Sequence, residues 1–350
     1  MNSIKQVIGE IASGHHICAE QCKTLLGSPD PVVTRLLSEK ARSVCEDVFS
    51  RKVHIRALVE ISSHCRNNCL YCGLRRDNRS AVRYRLGIDE ILERCALASS
   101  LGIRTFVLQG GEDPMQDDAW VENMVSEVHA SFPDCAITLS LGEKSERAYR
   151  RFRAAGARRY LLRHETFNPE HYGRLHPREM SRQGRLDCLH TLKRLGYQTG
   201  TGIMVGSPWQ SIDNIVEDVL FIQDFKPQMI GIGPFVHHGG TPLAAWPDGS
   251  VELTLRLISI FRLIDPKALI PSTTALSTLC PDGRTRGILA GANVLMPNFT
   301  PAHLREQYDI YPGKACRGSE SCEGLSGLEK ELESIGYVFA DGPGDYDTVN

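Results

Sequence analysis

The chain has 350 residues, with 40 Lys and Arg against 42 Asp and Glu, and 12 cysteines. That length suits one large domain or two modest ones, and the balanced charge excludes a general basic field for nucleic acid or an anionic membrane. No apolar run approaches the roughly 20 residues that span a bilayer. The start, "MNSIKQVIGEIASGHHICAE", also lacks the pattern of a signal peptide, so the chain reads as cytoplasmic. In a reducing compartment these cysteines do not form a disulfide framework. Isolated ones such as Cys95 and Cys188 sit in helical patterns and read as buried.

Residues 1–52 form a helical segment, in which "SIKQVIGEIA" and "DPVVTRLLSEKARSVCEDVF" carry apolar positions three and four apart. Asp30 before Pro31 marks a helix start. From residue 53 short apolar runs alternate with amphipathic ones. The expected strands are "VHIRALVEI", "IRTFVLQ", "CAITLSL", "ARRYLLRHE", "QTGTGIMVG", "MIGIGPF", "ALIPSTTA" and "ANVLMPN". Helical patterns such as "IDEILERCALASSLG" and "SIDNIVEDVLFIQDF" lie between most of them. Eight strands in strict alternation predict an α/β fold, a closed (β/α)8 TIM-type barrel over 53–301. Residues 302–350 would be a C-terminal extension that closes it.

Active sites of that architecture lie at the C-terminal ends of the strands, and the unusual residues of this sequence fall there. After the first strand comes "CRNNCLYC", with Cys65, Cys69 and Cys72 spaced C-x3-C-x2-C. Thiolates at this spacing suit zinc, with His64 as a fourth ligand, or an iron–sulfur cubane with one iron left open. After the second strand, "QGGEDP" either turns the chain or exposes backbone to a ligand. On the fourth strand Arg159 and Arg163 share a face and, if inward, need anionic partners. Those partners are either an anionic substrate or an internal carboxylate, Glu60 or Asp113. Glu165 reads as a salt-bridged rim residue unless it serves a ligand, and Arg185 as an exposed helix residue.

Together these residues resemble the radical S-adenosylmethionine (SAM) enzymes, whose signature is C-x3-C-x2-C with an aromatic, here Tyr71, before the third cysteine. More closely, "CRNNCLYCGLRRDN", "LQGGEDP", "TLSLGE", "RYLLRHET", "GIGPFVHH", "TTA" and "ANVLMPNFTP" are similar to the FeFe-hydrogenase maturases of the HydE family. The resemblance implies that Cys65, Cys69 and Cys72 hold one 4Fe–4S cluster and that SAM fills the open coordination position. It implies SAM contacts from Tyr71, Gly110, Gly111, Glu112, Glu165 and Arg185. It implies a substrate cavity lined by Arg56, Gln109, Thr138, Arg159, Arg163, Thr273, Thr274, Met296 and Tyr311. The implied reaction is an anaerobic one-electron cleavage of SAM to a 5′-deoxyadenosyl radical, spent on an organometallic iron precursor of the hydrogenase active site. The implied partners are that small molecule, a one-electron donor protein and the other maturases HydG and HydF. Two alternatives stay open: action on an amino acid, as in methylornithine synthase, and a zinc or electron-transfer protein without substrate. Many HydE proteins carry a C-terminal C-x7-C-x2-C for a second cluster. Here only Cys316 and Cys322 remain, with Leu325 in place of the third, so no second cluster is expected.

Overall fold

The computed structural model describes residues 2–314 and 321–346. Three helices come first: α1 (Asn2–Ala12), α2 (Ala19–Gly27) and α3 (Pro31–Phe49). Asp30 caps α3 as its sequence position suggests, accepting the Val32 N–H at 2.9 Å, with Pro31 in the first turn. Such a cap contributes about 1 kcal/mol. Helix α2 escaped the sequence reading because its nine residues bury only Cys22, Leu25 and Leu26.

Six parallel strands follow in one continuous ladder, in the order β2 (Ala57–Ser62), β3 (Thr105–Gly110), β4 (Ala136–Ser140), β5 (Ala157–Leu161), β6 (Gln198–Val205) and β7 (Met229–Pro234). Helices α4 (Ile88–Ser100), α5 (Asp118–Ser131), α6 (Glu146–Ala155), α7 (Pro169–Leu175), α8 (Arg182–Arg194), α9 (Ile212–Phe225) and α10 (Val251–Ile264) connect or follow them. The caps explain where most of these helices begin. Asp117, Ser145, Ser181, Ser211 and Ser250 each accept a backbone N–H three residues on. Strand alternation sets the core. Ala57, Val59 and Ile61 are fully buried under the helices, whereas Leu58 faces an internal cavity. Each such aliphatic side chain contributes about 1.5–3 kcal/mol. Among the described residues no helix is long and apolar enough to cross a membrane.

The structure departs from eight regular strands at both ends of the ladder. The expected first strand breaks at Arg56 into β1 (Lys52–Ile55) and β2. Strand β1 pairs with β8 (Val294–Leu295) on one side and with β9 (Val338–Phe339), which the sequence reading left as tail, on the other. The expected seventh strand, 268–275, makes only the isolated bridges Met229↔Leu269 and Pro271↔Val294. Pro271 has no N–H to continue a ladder, and Thr274–Leu279 already forms helix α11. Helices α12 (Gly283–Leu289) and α13 (Leu325–Ser334) complete the chain. The architecture shown is thus α/β with a six-stranded parallel ladder and shorter paired segments.

After β9 the tail crosses the N-terminal ends of β3, β5 and β6. Pro343 O accepts from Thr105 Oγ1 and Arg159 Nη2, both at 2.8 Å. Asp345 lies 2.5 Å from Arg159 and accepts from Gln198 at 2.7 Å. This corrects the expectation for Arg159. Its partner is neither a substrate nor Glu60 or Asp113, but a carboxylate of the tail at the base of the sheet. Burial raises the Asp345 carboxyl, but the charge and hydrogen bond of Arg159 outweigh it, so its pKa ends below the ordinary value. Replacing Asp345 by Ala should leave Arg159 buried and unpaired and cost about 3 kcal/mol in urea unfolding. The gap from wild type should be full above the unfolded carboxylate pKa of about 4 and shrink as pH falls through the lower folded value. A gap independent of pH would show that the pair is not its source.

Candidate active site

The cysteine loop leaves β2 at the C-terminal rim and is held mostly by backbone contacts. Arg83 staples it, donating to the carbonyls of Ser63 (2.5 Å), Leu74 (2.9 Å) and Arg75 (2.8 Å). The Arg66 N–H donates to Glu112 O at 2.9 Å, and the Gly73 N–H to Ile310 O at 3.0 Å. Two glycines are required by close approach. A Cβ on Gly111 would stand 2.2 Å from His64 O and 2.7 Å from Cys65 Cβ. One on Gly73 would stand 2.0 Å from Asp309 O. The loop is therefore pressed between the turn after β3 and the C-terminal extension.

Cys65, Cys69 and Cys72 are half-buried. Burial, and then the neighbouring thiols, raise Cys69 above an ordinary thiol and push Cys72 up to about 12. Soft donors crowded in this way gain from a cation that takes their thiolates. Among the described residues no three His, Cys, Asp or Glu side chains form a site for a single metal ion. A cubane sends each thiolate to a different iron and does not require that convergence.

Cys69 and Cys72 open onto a cavity of about 340 Å³ inside the strands. Of the expected substrate residues, Gln109, Arg163, Thr273, Thr274, Met296 and Tyr311 line it, as do Tyr71 and Glu165 of the expected SAM residues. Three of the expected substrate residues do not. Arg159 is at the base, and Arg56 and Thr138 are buried one step nearer the N-terminal ends than the lining residues Leu58 and Gln109. Arg56 gives one N–H to Met229 Sδ at 3.3 Å, and its other nitrogens have no partner. A larger, open cleft of about 760 Å³ is lined by Glu112, Glu143 and Lys144 among others, without Cys65, Cys69 or Cys72.

The expected SAM residues divide between lining and bracing. Tyr71 donates its hydroxyl to His176 Nε2 at 3.2 Å, since His176 Nδ1 faces the Tyr172 carbonyl at 3.0 Å and must carry the proton. Burial pushes His176 down to about 3, in keeping with a neutral ring. Glu112 lies between Arg66 Nε (3.0 Å) and the Glu143 N–H (2.9 Å), so its carboxylate braces the cysteine loop. Arg185 is buried rather than exposed, donating to Glu143 (2.6 Å) and to the Arg163 carbonyl (2.9 Å). Glu165 has φ 65, a left-handed backbone. Its Oε2 makes no well-directed hydrogen bond, although Arg163 lies 3.1 Å away.

Sequence reasoning missed several groups. Lys314 lines the cavity, pairs with buried Glu60 and lies over the Tyr308 ring at 4.9 Å. Glu60 thus meets the extension, and Asp113 meets Arg85 at 2.6 Å. His238 Nε2 donates to Asp309 at 2.8 Å, because its Nδ1 accepts the Gly240 N–H, and so ties the extension to the loop after β7. Met180 Sδ lies 3.7 Å from Cys69 Sγ, and the buried Tyr172 hydroxyl has no partner. Of the missed groups only His238 stands in a quoted motif, "GIGPFVHH", and Lys314 in the odd composition of "YPGK"; the others carry no periodic or motif signal.

Residues 59–222 match the family model of the radical SAM superfamily. The chain is 44% identical over 317 residues to the [FeFe] hydrogenase maturase subunit HydE of Thermotoga maritima, covering 91% of this chain and 90% of that one. It belongs to the HydE family of radical SAM enzymes. A 3-methylornithine synthase of Methanosarcina acetivorans is 29% identical, covering 82% and 81% of the two chains. The crystal structure of methylornithine synthase (PylB) superposes with a TM-score of 0.85 at 26% identity, over 98% of this chain and all of that one. The family works with a 4Fe–4S cluster and SAM, which replaces the alternative of a zinc or electron-transfer protein.

The residues present fit those groups. Three thiols stand on one loop, and Glu165 Oε2 and Thr273 Oγ1, both of residues lining the cavity, are buried polar atoms without a hydrogen bond. A ligand in this cavity would give such atoms partners. Gly111→Ala should displace the Cys65 segment and reduce the iron held after anaerobic reconstitution to well below half of wild type, with the chain still folded. Wild-type iron content would show that the loop tolerates the shift.

Proposed function

We propose that the chain cleaves SAM reductively and acts on an organometallic iron precursor during assembly of the FeFe-hydrogenase active-site cluster. Cys65, Cys69 and Cys72 hold the single 4Fe–4S cluster. Tyr71, Gly110, Gly111, Glu112, Glu165 and Arg185 receive or frame SAM. Gln109, Arg163, Thr273, Thr274, Met296 and Tyr311 take the substrate, with Lys314 as an added cation from the extension. One observation carries the reading: two of the cysteines, the Arg163–Glu165 pair and a wall of threonines and Met296 share one enclosed cavity.

When bound, the cluster and SAM supply one-electron reductive cleavage and the carbon-radical chemistry that follows from it. The chain's own part is orientation and exclusion of water. Arg163 is anchored by the Ile203 carbonyl at 2.5 Å, so its charge is held in place for an anion beside Glu165. The extension covers the mouth, and Ile310, Tyr311 and Lys314 close the wall above Cys72. Arg56, Thr138 and Arg159 then support the floor rather than touch substrate.

We also infer that the strands close into an eight-membered ring over 53–301, with 1–52 as a helical segment before it and 302–350 as the extension. Support comes from the bridges Leu58↔Asn298, Met229↔Leu269 and Pro271↔Val294, which link the ends of the ladder in sequence. One cluster suffices. Cys322 is buried and accepts from Arg305 at 3.2 Å, and Leu325 begins α13, while Cys316 lies outside the described residues. The one-electron donor, HydG and HydF are the protein partners of this reading, at work anaerobically in the cytoplasm.

The test is anaerobic reconstitution with iron and sulfide, then spectroscopy with and without SAM, and a hydrogenase maturation assay. About four irons per chain are expected, as one cubane requires, and Cys69→Ala should abolish both the cluster and SAM cleavage. Cys322→Ala should leave iron content unchanged. Thr273→Val should keep iron and SAM affinity yet lower maturation about tenfold, the effect of one lost hydrogen bond to a charged ligand. Full maturation by Thr273→Val would remove the substrate from this wall. Turnover of an amino acid without maturation would favour the methylornithine-synthase type of reaction.

A further inference from the structure

Glu165 holds a left-handed backbone conformation that a residue with a side chain adopts only at a cost, so something must keep it there. Its own N–H donates to Gly202 O at 3.0 Å, and its carbonyl accepts from Met204 at 3.2 Å. A single side chain then ties down both flanks. Asp218, on α9, accepts the Phe167 N–H at 2.5 Å and lies 3.2 Å from His164 Nε2. The other nitrogen of His164 meets Thr201 Oγ1 at 2.8 Å. His164, Thr201 and Asp218 are all completely buried.

This is a costly place for a carboxyl. It lies on the buried face of α9, among Ile215, Val219 and Ile222, and its Oδ2 has no partner. Burial raises Asp218 well above an ordinary carboxyl and pushes His164 down to about 3. An apolar residue would serve packing at less cost. Neither side chain lines the cavity; the residue between their two attachment points, Glu165, does.

We propose that Asp218, acting through His164 and the Phe167 N–H, is a positioning residue that holds the Glu165 carboxylate in place for SAM. The inference rests on the reading that Glu165 contacts SAM. A carboxylate displaced by about 1 Å loses much of its contribution to binding. The clamp therefore predicts coupling: once Glu165 has lost its charge, removing Asp218 has little left to disturb.

The experiment measures SAM affinity by equilibrium dialysis on the reconstituted holoenzyme, with iron content and thermal unfolding as controls. Glu165→Gln and Asp218→Ala should each weaken SAM about tenfold, and the double variant should bind within about twofold of Glu165→Gln alone. Asp218→Asn, whose Oδ1 can still accept from both the Phe167 N–H and His164 Nε2, should bind within about threefold of wild type. His164→Phe, which keeps a ring against Phe221 but loses both polar links, should reproduce Asp218→Ala if that variant does not fold. A weakened Glu165→Gln beside a wild-type Asp218→Ala or His164→Phe, or additive losses in the double variant, overturns the clamp. An unchanged Glu165→Gln overturns the assignment of Glu165 itself, and the clamp's role in SAM binding with it.

Discussion

A charge enclosed by a parallel sheet and its helices is costly unless it is paired, and two such pairs organise opposite ends of the strands. Arg159 and Lys314 are enclosed at opposite ends of the strands. Both pairs depend on the C-terminal extension. It supplies Asp345 to Arg159 at the N-terminal ends and carries Lys314 to Glu60 at the other. A polar segment that could have been dismissed as a tail therefore completes the electrostatics of the interior and lends Ile310, Tyr311 and Lys314 to the lining of the cavity.

The cysteine loop follows a different logic. It has no regular secondary structure, so its backbone groups must find other partners. Arg83, Glu112 and the Ile310 carbonyl provide them. The contacts come from the chain after β2, the turn after β3 and the extension, so the loop is fixed from three sides before any cluster binds. Gly111 and Gly73 are glycines because backbone from two of those sides passes within the space of a Cβ. A rigid loop of this kind sets the distance between the thiols and the lining of the cavity, on which electron delivery to a bound molecule depends.

Fold and family carry different weight. The superposition on methylornithine synthase fixes the architecture and leaves the substrate open, because one fold hosts several chemistries. Identity of 44% to HydE along nine-tenths of both chains narrows the family. Around Cys322, where no second cluster is expected, the structure has another fastening. Arg305 binds Glu323 at 2.6 and 2.9 Å and reaches Cys322, so an ion pair holds this part of the extension in place.

The sequence by itself determined the alternation of strands and helices, the Asp30 cap and the cysteine loop at a strand end. Each of these is a local signal: a period, a capping residue, a motif of fixed spacing; the family resemblance, not such a signal, pointed to about half of the cavity lining. Tertiary structure decided the rest. The seventh strand failed as a ladder because Pro271 and the start of α11 compete with it. Arg159 and Arg163 share a strand face, as alternation requires, yet one reaches the cavity and the other meets the tail. The partner of Arg159 is Asp345, 186 residues away. Lys314 and Glu60 are 254 residues apart, and no periodicity links them. Spacing in sequence fixes which way a side chain points along its own element; which partner is waiting there is set by segments that meet only when the chain is folded.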